Sequence, residues 1–304
     1  MKKSRFLISL HSRDNDFQLA QAHCAEDTAR KLDADVQIIF ADNDAVNQST
    51  QLLKAIQGPK ESRPDAIVLE PVGGTALPQV ANAASAVGIG WVVLNRQPEY
   101  LSKLRTQATA PVFAVSADHQ EIGRVQGRQF SALLPRGGSV LYIEGPSHSS
   151  SALKRTAGML EMKPSNIQVS ILKANWTEES AARAVSAWLK LSTSQRAAIG
   201  VVGAQDDTMA MGARKAFEQL TDERERTRWL SIPFTGCDGQ PATGQVWVKK
   251  GMLTATVYVS PLTGKAIEVL MAAIRSGTQA PEHSLIEPVS IPALKELGSQ
   301  SRTT

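Results

Sequence analysis

Short apolar runs alternate with longer amphipathic stretches along almost the whole chain. The short runs are rich in Val, Ile and Leu, which is typical of strands buried on both faces of a parallel sheet. The predicted strands are Phe6–Leu10, Val36–Phe40, Ala66–Leu69, Trp91–Leu94, Val112–Val115, Ser139–Ile143, Ile167–Leu172, Gly200–Val202, Ile232–Thr235 and Thr254–Val259. A turn is predicted at Pro135–Gly138, where a proline and two glycines follow one another closely.

The longer stretches place apolar residues at helical spacing. The clearest predicted helices are Gln18–Leu32, Gln120–Leu134, Asp207–Leu220 and Leu262–Arg275. Strands that alternate with helices indicate parallel sheets built by right-handed crossovers, with helices on both faces. Ten strands in 304 residues divide more naturally into two sheets of five or six than into one wide sheet. The predicted fold class is therefore α/β, with two doubly wound lobes.

Composition and charge argue against some classes of function, such as nucleic-acid binding. Apolar residues make up 42% and charged residues 20% of the chain, as in an ordinary globular protein. The net charge of +4 is scattered, apart from a mixed run at Asp222–Arg228 that we interpret as a solvated helix end. Nucleic-acid binding needs a clustered basic face, so no nucleic-acid partner is predicted. No apolar run reaches the length of a transmembrane helix.

Motifs for catalysis, metals or cofactors are not found in the sequence. It has no GxGxxG, GxxxxGK[ST] or GxSxG pattern, and its histidines show no metal-ligand spacing. Cys24 and Cys237 form no CxxC pair and are interpreted as two buried free thiols. We therefore predict no catalytic residue, no metal and no cofactor. A sugar-processing enzyme on a doubly wound fold stays the alternative, which turnover of a bound sugar would favour.

Polar side chains follow strand after strand, where open parallel sheets bind their ligands. Asn, Asp and Arg can each form paired hydrogen bonds with adjacent hydroxyl groups, as a polyol requires. Phe17 and Trp176 offer flat apolar faces to the C–H side of a sugar ring. The same residue types also cap helices and form turns, and we interpret Asp207 as an N-cap and Asp238-Gly239 as a turn. Their recurrence in both halves of the chain favours a functional role.

These residues lie in segments that resemble those of one protein family, and the segments follow the same order along the chain. The segments are Asn15–Phe17, Ala66–Pro71, Val93–Arg96, Asp118-His119 with Gly123 and Gly127, Ser151–Arg155, Ala204–Ala213, Gly236–Gly239 and Ala255–Val257. The chain resembles the type I periplasmic sugar-binding proteins, which include the ribose-binding protein and share their fold with the effector domain of the lac repressor group. The resemblance covers nearly the whole chain.

The resemblance implies two lobes joined by three hinge strands that close around a sugar or polyol. The first lobe would comprise residues 1–116 with 260–283, and the second 117–259 with 284–304. It also implies a periplasmic monomer that delivers its ligand to the permease of an ABC transporter. The implied ligand contacts are Asn15, Phe17, Glu70, Asn95, Arg96, Arg155, Trp176, Asp206 and Asp238. Arg155 would reach over the ligand from the second lobe. His11, after the first strand, and Val259 are further candidates.

Three positions depart from the ribose-type pattern. Glu70 stands where an amide or short polar residue is usual, Val259 lies near a position that is commonly polar, and Gln18 replaces an aromatic residue of some members. A plain ribose site is therefore not expected. An extra carboxylate favours an amino- or deoxy-sugar, another polyol or a cationic ligand, unless Arg96 neutralises Glu70 instead.

Alternative partners and locations stay open on the sequence. A regulator of the lac repressor group would carry a helix-turn-helix before the first strand, which begins near Phe6 here. A protein that presents its closed form to a sensory receptor has the same sequence features as a transport protein. Phe6–Leu10 is too short for the apolar part of a secretory signal, so a cytoplasmic location is the alternative to the periplasm.

Overall fold

The computed structural model describes residues 3–72, 76–195 and 198–300. They divide into two compact units. Unit 1 comprises the described residues up to Ala117 together with Pro261–Ile286. Unit 2 comprises Asp118–Ser260 and the described residues from Glu287 onward. The chain therefore passes from one unit to the other three times, after Ala117, Ser260 and Ile286.

Unit 1 contains a parallel sheet, which has six strands in the described part of the chain. Numbered in chain order, they are β1 (Ser4–Leu10), β2 (Ala34–Phe40), β3 (Ala66–Leu69), β4 (Gly90–Leu94), β5 (Val112–Ala117) and β11 (His283–Ile286). Their order in the sheet is β11-β5-β4-β3-β1-β2. The residues of β3, β4 and β5 are all buried, whereas the edge strands β2 and β11 are partly exposed. The carboxyl ends of β1, β3 and β4 thus lie side by side.

Helices connect these strands. They are α1 (Asp16–Leu32), α2 (Ala45–Gln57), a 3₁₀ turn (Lys60–Ser62), α3 (Pro78–Ala86), α4 (Tyr100–Gln107) and α12 (Leu262–Ser276). The returning segment α12 is fixed to α1 by Thr263, whose N–H donates to Gln21 Oε1 at 3.0 Å and whose Oγ1 donates to the Gln21 carbonyl at 2.6 Å. This contact joins the late part of the chain to the first helix of the same unit.

Unit 2 contains a second parallel sheet, with four strands among the described residues. These are β6 (Gly138–Glu144), β7 (Ile167–Lys173), β8 (Ile199–Ala204) and β9 (Phe234–Thr235), in the order β7-β6-β8-β9. A separate antiparallel pair is formed by β10 (Thr256–Tyr258) and β12 (Val289–Ile291). The carboxyl ends of the four parallel strands therefore meet at one edge of this sheet.

The helices of unit 2 cover both sheet faces and carry part of the candidate site. They are α5 (His119–Leu133), α6 (Ser150–Met162), α7 (Glu178–Leu189), α8 (Ser192–Gln195), α9 (Asp207–Glu218), α10 (Glu223–Leu230), α11 (Gly244–Lys249) and α13 (Leu294–Gln300). Gly123 on α5 and Gly158 on α6 let the two backbones touch, because a Cβ at either position would collide with a carbonyl of the other helix. This close approach fixes the position of Arg155 on α6.

The fold prediction of two doubly wound parallel-sheet lobes is confirmed. Each of the ten predicted strands overlaps an observed strand, although β9 and β10 are shorter than predicted. The predicted turn is also confirmed: the Gly137 N–H donates to the Leu134 carbonyl at 2.9 Å, and Gly137 and Gly138 have positive φ. Positive φ suits glycine, which lacks the Cβ that would clash there.

Several details of the prediction were wrong. The second parallel sheet has four described strands rather than five or six, because β10 pairs antiparallel with β12. The short strands β11 and β12 were not predicted, since each is only three or four residues long and partly exposed. The strand β7 lies at the edge of its sheet and is mostly exposed rather than buried. Cys24 is only partly buried, whereas Cys237 is buried as expected.

Candidate functional site

In unit 1, the loop after β1 and the first turn of α1 carry three of the candidate residues. Asn15 is the N-cap of α1, and its Oδ1 accepts a hydrogen bond from the Gln18 N–H at 3.1 Å. Phe17 lies in the first turn of α1 and is partly buried. His11 Nε2 lies 3.0 Å from the Pro71 carbonyl oxygen. The loop is thus held to the end of β3 by a hydrogen bond and to α1 by a helix cap.

Glu70 follows β3 directly and is only 7% exposed. Its Oε2 accepts a hydrogen bond from Gln18 Nε2 at 2.8 Å, and its Oε1 accepts one from Asn95 Nδ2 at 2.6 Å. Gln48 holds the backbone at this point, since its Nε2 donates to the Glu70 carbonyl at 2.9 Å. The Glu70 carboxylate is therefore already bound on both oxygens by amides of the same unit.

Asn95 and Arg96 follow β4. Asn95 adopts φ +60, in the left-handed region that asparagine tolerates better than most residues. Its Oδ1 is buried and accepts no hydrogen bond from the described residues, an arrangement that costs about 1–3 kcal/mol in a folded protein. Burial lowers the pKa of the Arg96 guanidinium, and the charge of Glu70 opposes that effect. Arg96 thus interacts with Glu70 electrostatically. The hydrogen bonds to the Glu70 carboxylate described above come from the amides of Gln18 and Asn95.

In unit 2, Arg155 forms the centre of the candidate group. It is buried on α6, and its Nη1 donates to the Gln205 carbonyl. Its Nη2 lies 3.5 Å from Asp238 Oδ1, and its Cζ lies 5.6 Å from the centre of the Trp176 ring. Burial alone would lower the pKa of Arg155, but neighbouring acidic groups, including Asp238, raise it above its ordinary value. The guanidinium thus lies beside both an acidic group and an aromatic face.

Trp176 follows β7 and reaches Arg155 because of a glycine after β6. It adopts φ +60 and is partly buried. A Cβ at Gly145 would collide with the indole ring of Trp176. The absence of a side chain at position 145 therefore allows the ring to lie across the end of β6. Gly145 was not singled out from the sequence, where one glycine after a strand does not show what approaches it.

Two acidic residues complete the group in unit 2. Asp206 follows β8 and is the N-cap of α9, with its Oδ1 accepting a hydrogen bond from the Met209 N–H at 2.7 Å. Burial, together with the neighbouring Asp238 carboxylate, raises the pKa of Asp206 to about 8. Asp238 lies in the segment after β9 and has φ +91. Asp206 therefore changes its charge at a higher pH than an ordinary aspartate, next to Asp238 and Arg155.

The prediction that Asp207 is the N-cap was wrong, since Asp206 has that role. Asp207 is buried and accepts hydrogen bonds from Thr256 Oγ1 at 2.6 Å and from the Gly239 N–H at 2.7 Å. Burial raises the pKa of Asp207 well above its ordinary value. Its contacts join α9 to the segments that carry Asp238 and β10, which is a structural role.

Gln205 is another residue that the sequence did not reveal. It is completely buried; its Oε1 accepts from the Gly145 N–H at 3.0 Å, and its Nε2 donates to Thr156 Oγ1 at 2.9 Å. Together with its carbonyl bond to Arg155, these contacts link the ends of β6 and β8 to α6. The Val259 side chain is buried, and its backbone N–H donates to the Asp238 carbonyl at 3.0 Å.

The structure thus brings the predicted residues together in two groups. Within unit 1, Gln18 links Asn15 to Glu70, and Asn95, with Arg96 next in the chain, donates to the other Glu70 oxygen. Within unit 2, Arg155 lies beside Trp176 and Asp238, and Asp206 interacts electrostatically with both Asp238 and Arg155. Each group offers planar hydrogen-bonding side chains, and the group in unit 2 also includes the aromatic ring of Trp176.

Two further findings concern metal binding and membrane spanning. Among the described residues, no three or more His, Cys, Asp or Glu side chains are grouped so that they could hold a metal ion. None of the described helices has the length and apolar character needed to cross a bilayer.

Comparisons with known proteins agree with this architecture. A family model described as "Periplasmic binding protein domain" matches residues 6–279. The chain is 28% identical, over 67% of its length and 64% of the relative's, to a Rhizobium meliloti protein named for rhizopine binding. It is 28% identical, over 74% of its length and 67% of the relative's, to the D-apiose import binding protein of Paraburkholderia graminis.

A solved structure shows the same fold. It is a periplasmic solute-binding protein of an ABC transporter from Actinobacillus succinogenes with bound D-allose. The TM-score is 0.80 at 22% sequence identity, and the alignment covers 99% of this chain and 100% of the other. At this identity the likeness concerns the fold.

Proposed function

Since this chain belongs to the periplasmic binding protein family, we propose that it binds a sugar or polyol reversibly and without catalysis. The names of the relatives support a polyhydroxylated ligand, since one is named for rhizopine and another for D-apiose. The structural neighbour that holds D-allose supports the same ligand class.

The arrangement of Arg155, Trp176 and Asp238 carries the proposal. A sugar ring has hydroxyl groups that both donate and accept hydrogen bonds, and it has apolar C–H faces. Arg155 supplies donors, Asp238 supplies acceptors, and Trp176 supplies a flat face, all at the strand ends of one sheet. This combination fits a polyol better than it fits an apolar or a highly charged ligand.

The second part of the proposal concerns unit 1, whose strand ends would contribute Asn15, Phe17, Asn95 and Arg96 to ligand binding, with His11 near the same strand end. Hinge closure follows from the family resemblance, since a ligand favours the conformation in which it makes the most contacts. A periplasmic monomer that hands its ligand to a transporter permease follows from the family, and a sensory receptor is the alternative partner.

The direct test is calorimetry with D-apiose, D-allose, D-ribose, myo-inositol and an amino-inositol. A true ligand at about 100 times its Kd should also stabilise the protein by about 3 kcal/mol. Asp238→Ala should weaken binding about tenfold or more, because its carboxylate would no longer accept from ligand hydroxyls. Glu179→Ala is the control, since that carboxylate lies exposed on α7.

Three results would count against the proposal. Failure of the whole panel to bind would contradict a sugar or polyol ligand. Unchanged affinity of Asp238→Ala would remove that residue from the site. Turnover of a bound sugar would show that the protein is an enzyme.

A further inference from the structure

Glu70 lies in a hydrogen-bond network whose direction is fixed by a backbone donor. The His11 N–H donates to Gln18 Oε1 at 3.0 Å, so the carbonyl end of the Gln18 amide must face His11. The amino end, Nε2, then faces Glu70 Oε2 at 2.8 Å. Rotating the Gln18 amide by half a turn would set two donors against each other and an oxygen against a carboxylate. The chemistry therefore permits one orientation.

The same reasoning fixes the amide of Asn95. Its Nδ2 lies 2.6 Å from Glu70 Oε1, and the reversed amide would place an oxygen against that carboxylate. Glu70 thus receives one donor on each carboxylate oxygen and joins residues that follow β1, β3 and β4. Both Glu70 oxygens are thus already engaged within unit 1, without a ligand.

We propose that Glu70 is a positioning residue that holds the Asn95 amide and the loop after β1 in their binding orientation, rather than a ligand contact itself. This inference rests on the proposed function, because the orientation matters for a ligand that Asn95 binds. With Nδ2 held by Glu70, Oδ1 is the atom that Asn95 retains to accept a hydrogen bond from a ligand hydroxyl. With Asn15 Oδ1 used as a helix cap, Asn15 retains its Nδ2 donors. The network thereby sets which side chain accepts and which donates.

A carboxylate is required at position 70 for a simple reason. Two donors point at it, and a carboxylate accepts on both oxygens, whereas a side-chain amide accepts only on its single oxygen. In Glu70→Gln, one of the two donors would therefore face an NH₂ group. The double variant Gln18→Glu/Glu70→Gln removes this conflict, because the glutamate introduced at position 18 accepts from both His11 and the new amide. It also keeps the net charge of the protein.

The first measurement needs no ligand. The side-chain NH₂ signals of Asn95 can be identified in ¹H–¹⁵N spectra by their absence in Asn95→Ala. We expect one Nδ2 proton to be shifted downfield and protected from exchange in the natural protein. Both features should disappear in Glu70→Ala, which removes both acceptor oxygens, and persist in the double variant, whose amide oxygen at position 70 can accept from Asn95. Asn95 signals that are unchanged in Glu70→Ala would overturn the inference.

The second measurement is calorimetry with D-allose, D-apiose and myo-inositol as probes. Glu70→Gln should lower the affinity for a bound probe about tenfold or more, and the double variant should recover to within about threefold. Asp27→Asn, an exposed carboxylate of the same unit, should leave affinity unchanged. A double variant as weak as Glu70→Gln would show that the ligand needs the Glu70 charge itself, which overturns the inference. If no probe binds the natural protein, the proposed function fails for these ligands, and the spectra alone decide the role of Glu70.

Discussion

Both units place carboxyl groups at the ends of their parallel strands, but they surround them differently. In unit 1, Glu70 lies between the amides of Gln18 and Asn95. In unit 2, Asp206 and Asp238 lie close to each other and to the guanidinium of Arg155. One group is organised by directed hydrogen bonds, and the other by charge.

This difference predicts how each group responds to change. A hydrogen-bond network depends on which atom donates and which accepts, so replacing a carboxylate by an amide should harm it. A buried carboxyl group such as that of Asp206, with a second carboxylate nearby, is disfavoured in its charged form by desolvation and repulsion, so the same replacement should help there. The two strand-end groups of this protein therefore offer a paired experiment on one chemical substitution.

The largest effect is expected when the charged group loses its cation. Arg155→Ala removes the buried cation beside Asp238, and breaking a buried ion pair lowers the free energy of unfolding by about 3–5 kcal/mol. Urea denaturation at pH 7, followed by tryptophan fluorescence, measures this value. Four of the five tryptophans lie in unit 2, so the signal reports mainly on the affected unit.

Arg183→Ala is the matched control for Arg155→Ala. Arg183 also pairs with a carboxylate of the same unit, Glu179 at 2.5 Å, but both side chains are exposed. Exposed ion pairs contribute little to stability. Equal destabilisation by the two variants would mean that burial of Arg155 is not what makes its charge important.

An intermediate effect is expected when the aromatic face is displaced. Gly145→Ala adds a Cβ that collides with the Trp176 ring, and overpacking of this kind costs about 1–3 kcal/mol. The indole should move away from Arg155, which a changed fluorescence spectrum and weaker ligand binding would both report. Gly298→Ala is the control, because a Cβ there meets no atom within 4 Å. A fluorescence spectrum unchanged by Gly145→Ala would contradict the account of how Trp176 is placed.

The smallest effect concerns pH. Because the pKa of Asp206 is raised from 3.8 to about 8, the folded protein binds a proton that the unfolded chain has released between these values. Asp206 therefore contributes a fall in stability as pH rises from about 4 to about 8. Asp206→Asn keeps the helix cap but cannot ionise, so it should reduce this fall and stabilise the protein by about 1 kcal/mol or more at pH 8.

Urea denaturation at pH 5 and pH 8 measures the slope, that is, how steeply the free energy of unfolding falls as the pH rises. Asp222→Asn is the matched control, since Asp222 is also a helix N-cap but lies exposed before α10. Its substitution should leave the slope unchanged. A slope for Asp206→Asn equal to that of the natural protein would show that Asp206 does not carry the expected proton. The pKa of Asp207 is also raised, so part of the fall in stability with rising pH should remain in both variants.

Strand positions and the strand-end residues could be predicted from the sequence because both follow from local patterns. Apolar runs marked all ten predicted strands, and Asn15, Asn95 and Asp206 were found because they follow such runs. That these side chains contact a ligand stays a prediction. The functions of Gln18 and Gly145 could not be predicted, because their partners Glu70 and Gln205 lie 52 and 60 residues away in the chain.

By itself, the sequence determined that this protein has two doubly wound lobes and that polar side chains follow their strands. Apolar periodicity and loop composition are local properties, because each depends only on residues that are close together in the sequence. Only the tertiary structure decided that Glu70 is held by amides whereas Asp206 is raised in pKa by burial and a second carboxylate. Hydrogen-bond direction and desolvation depend on which distant residues come together, and no stretch of sequence contains that information alone.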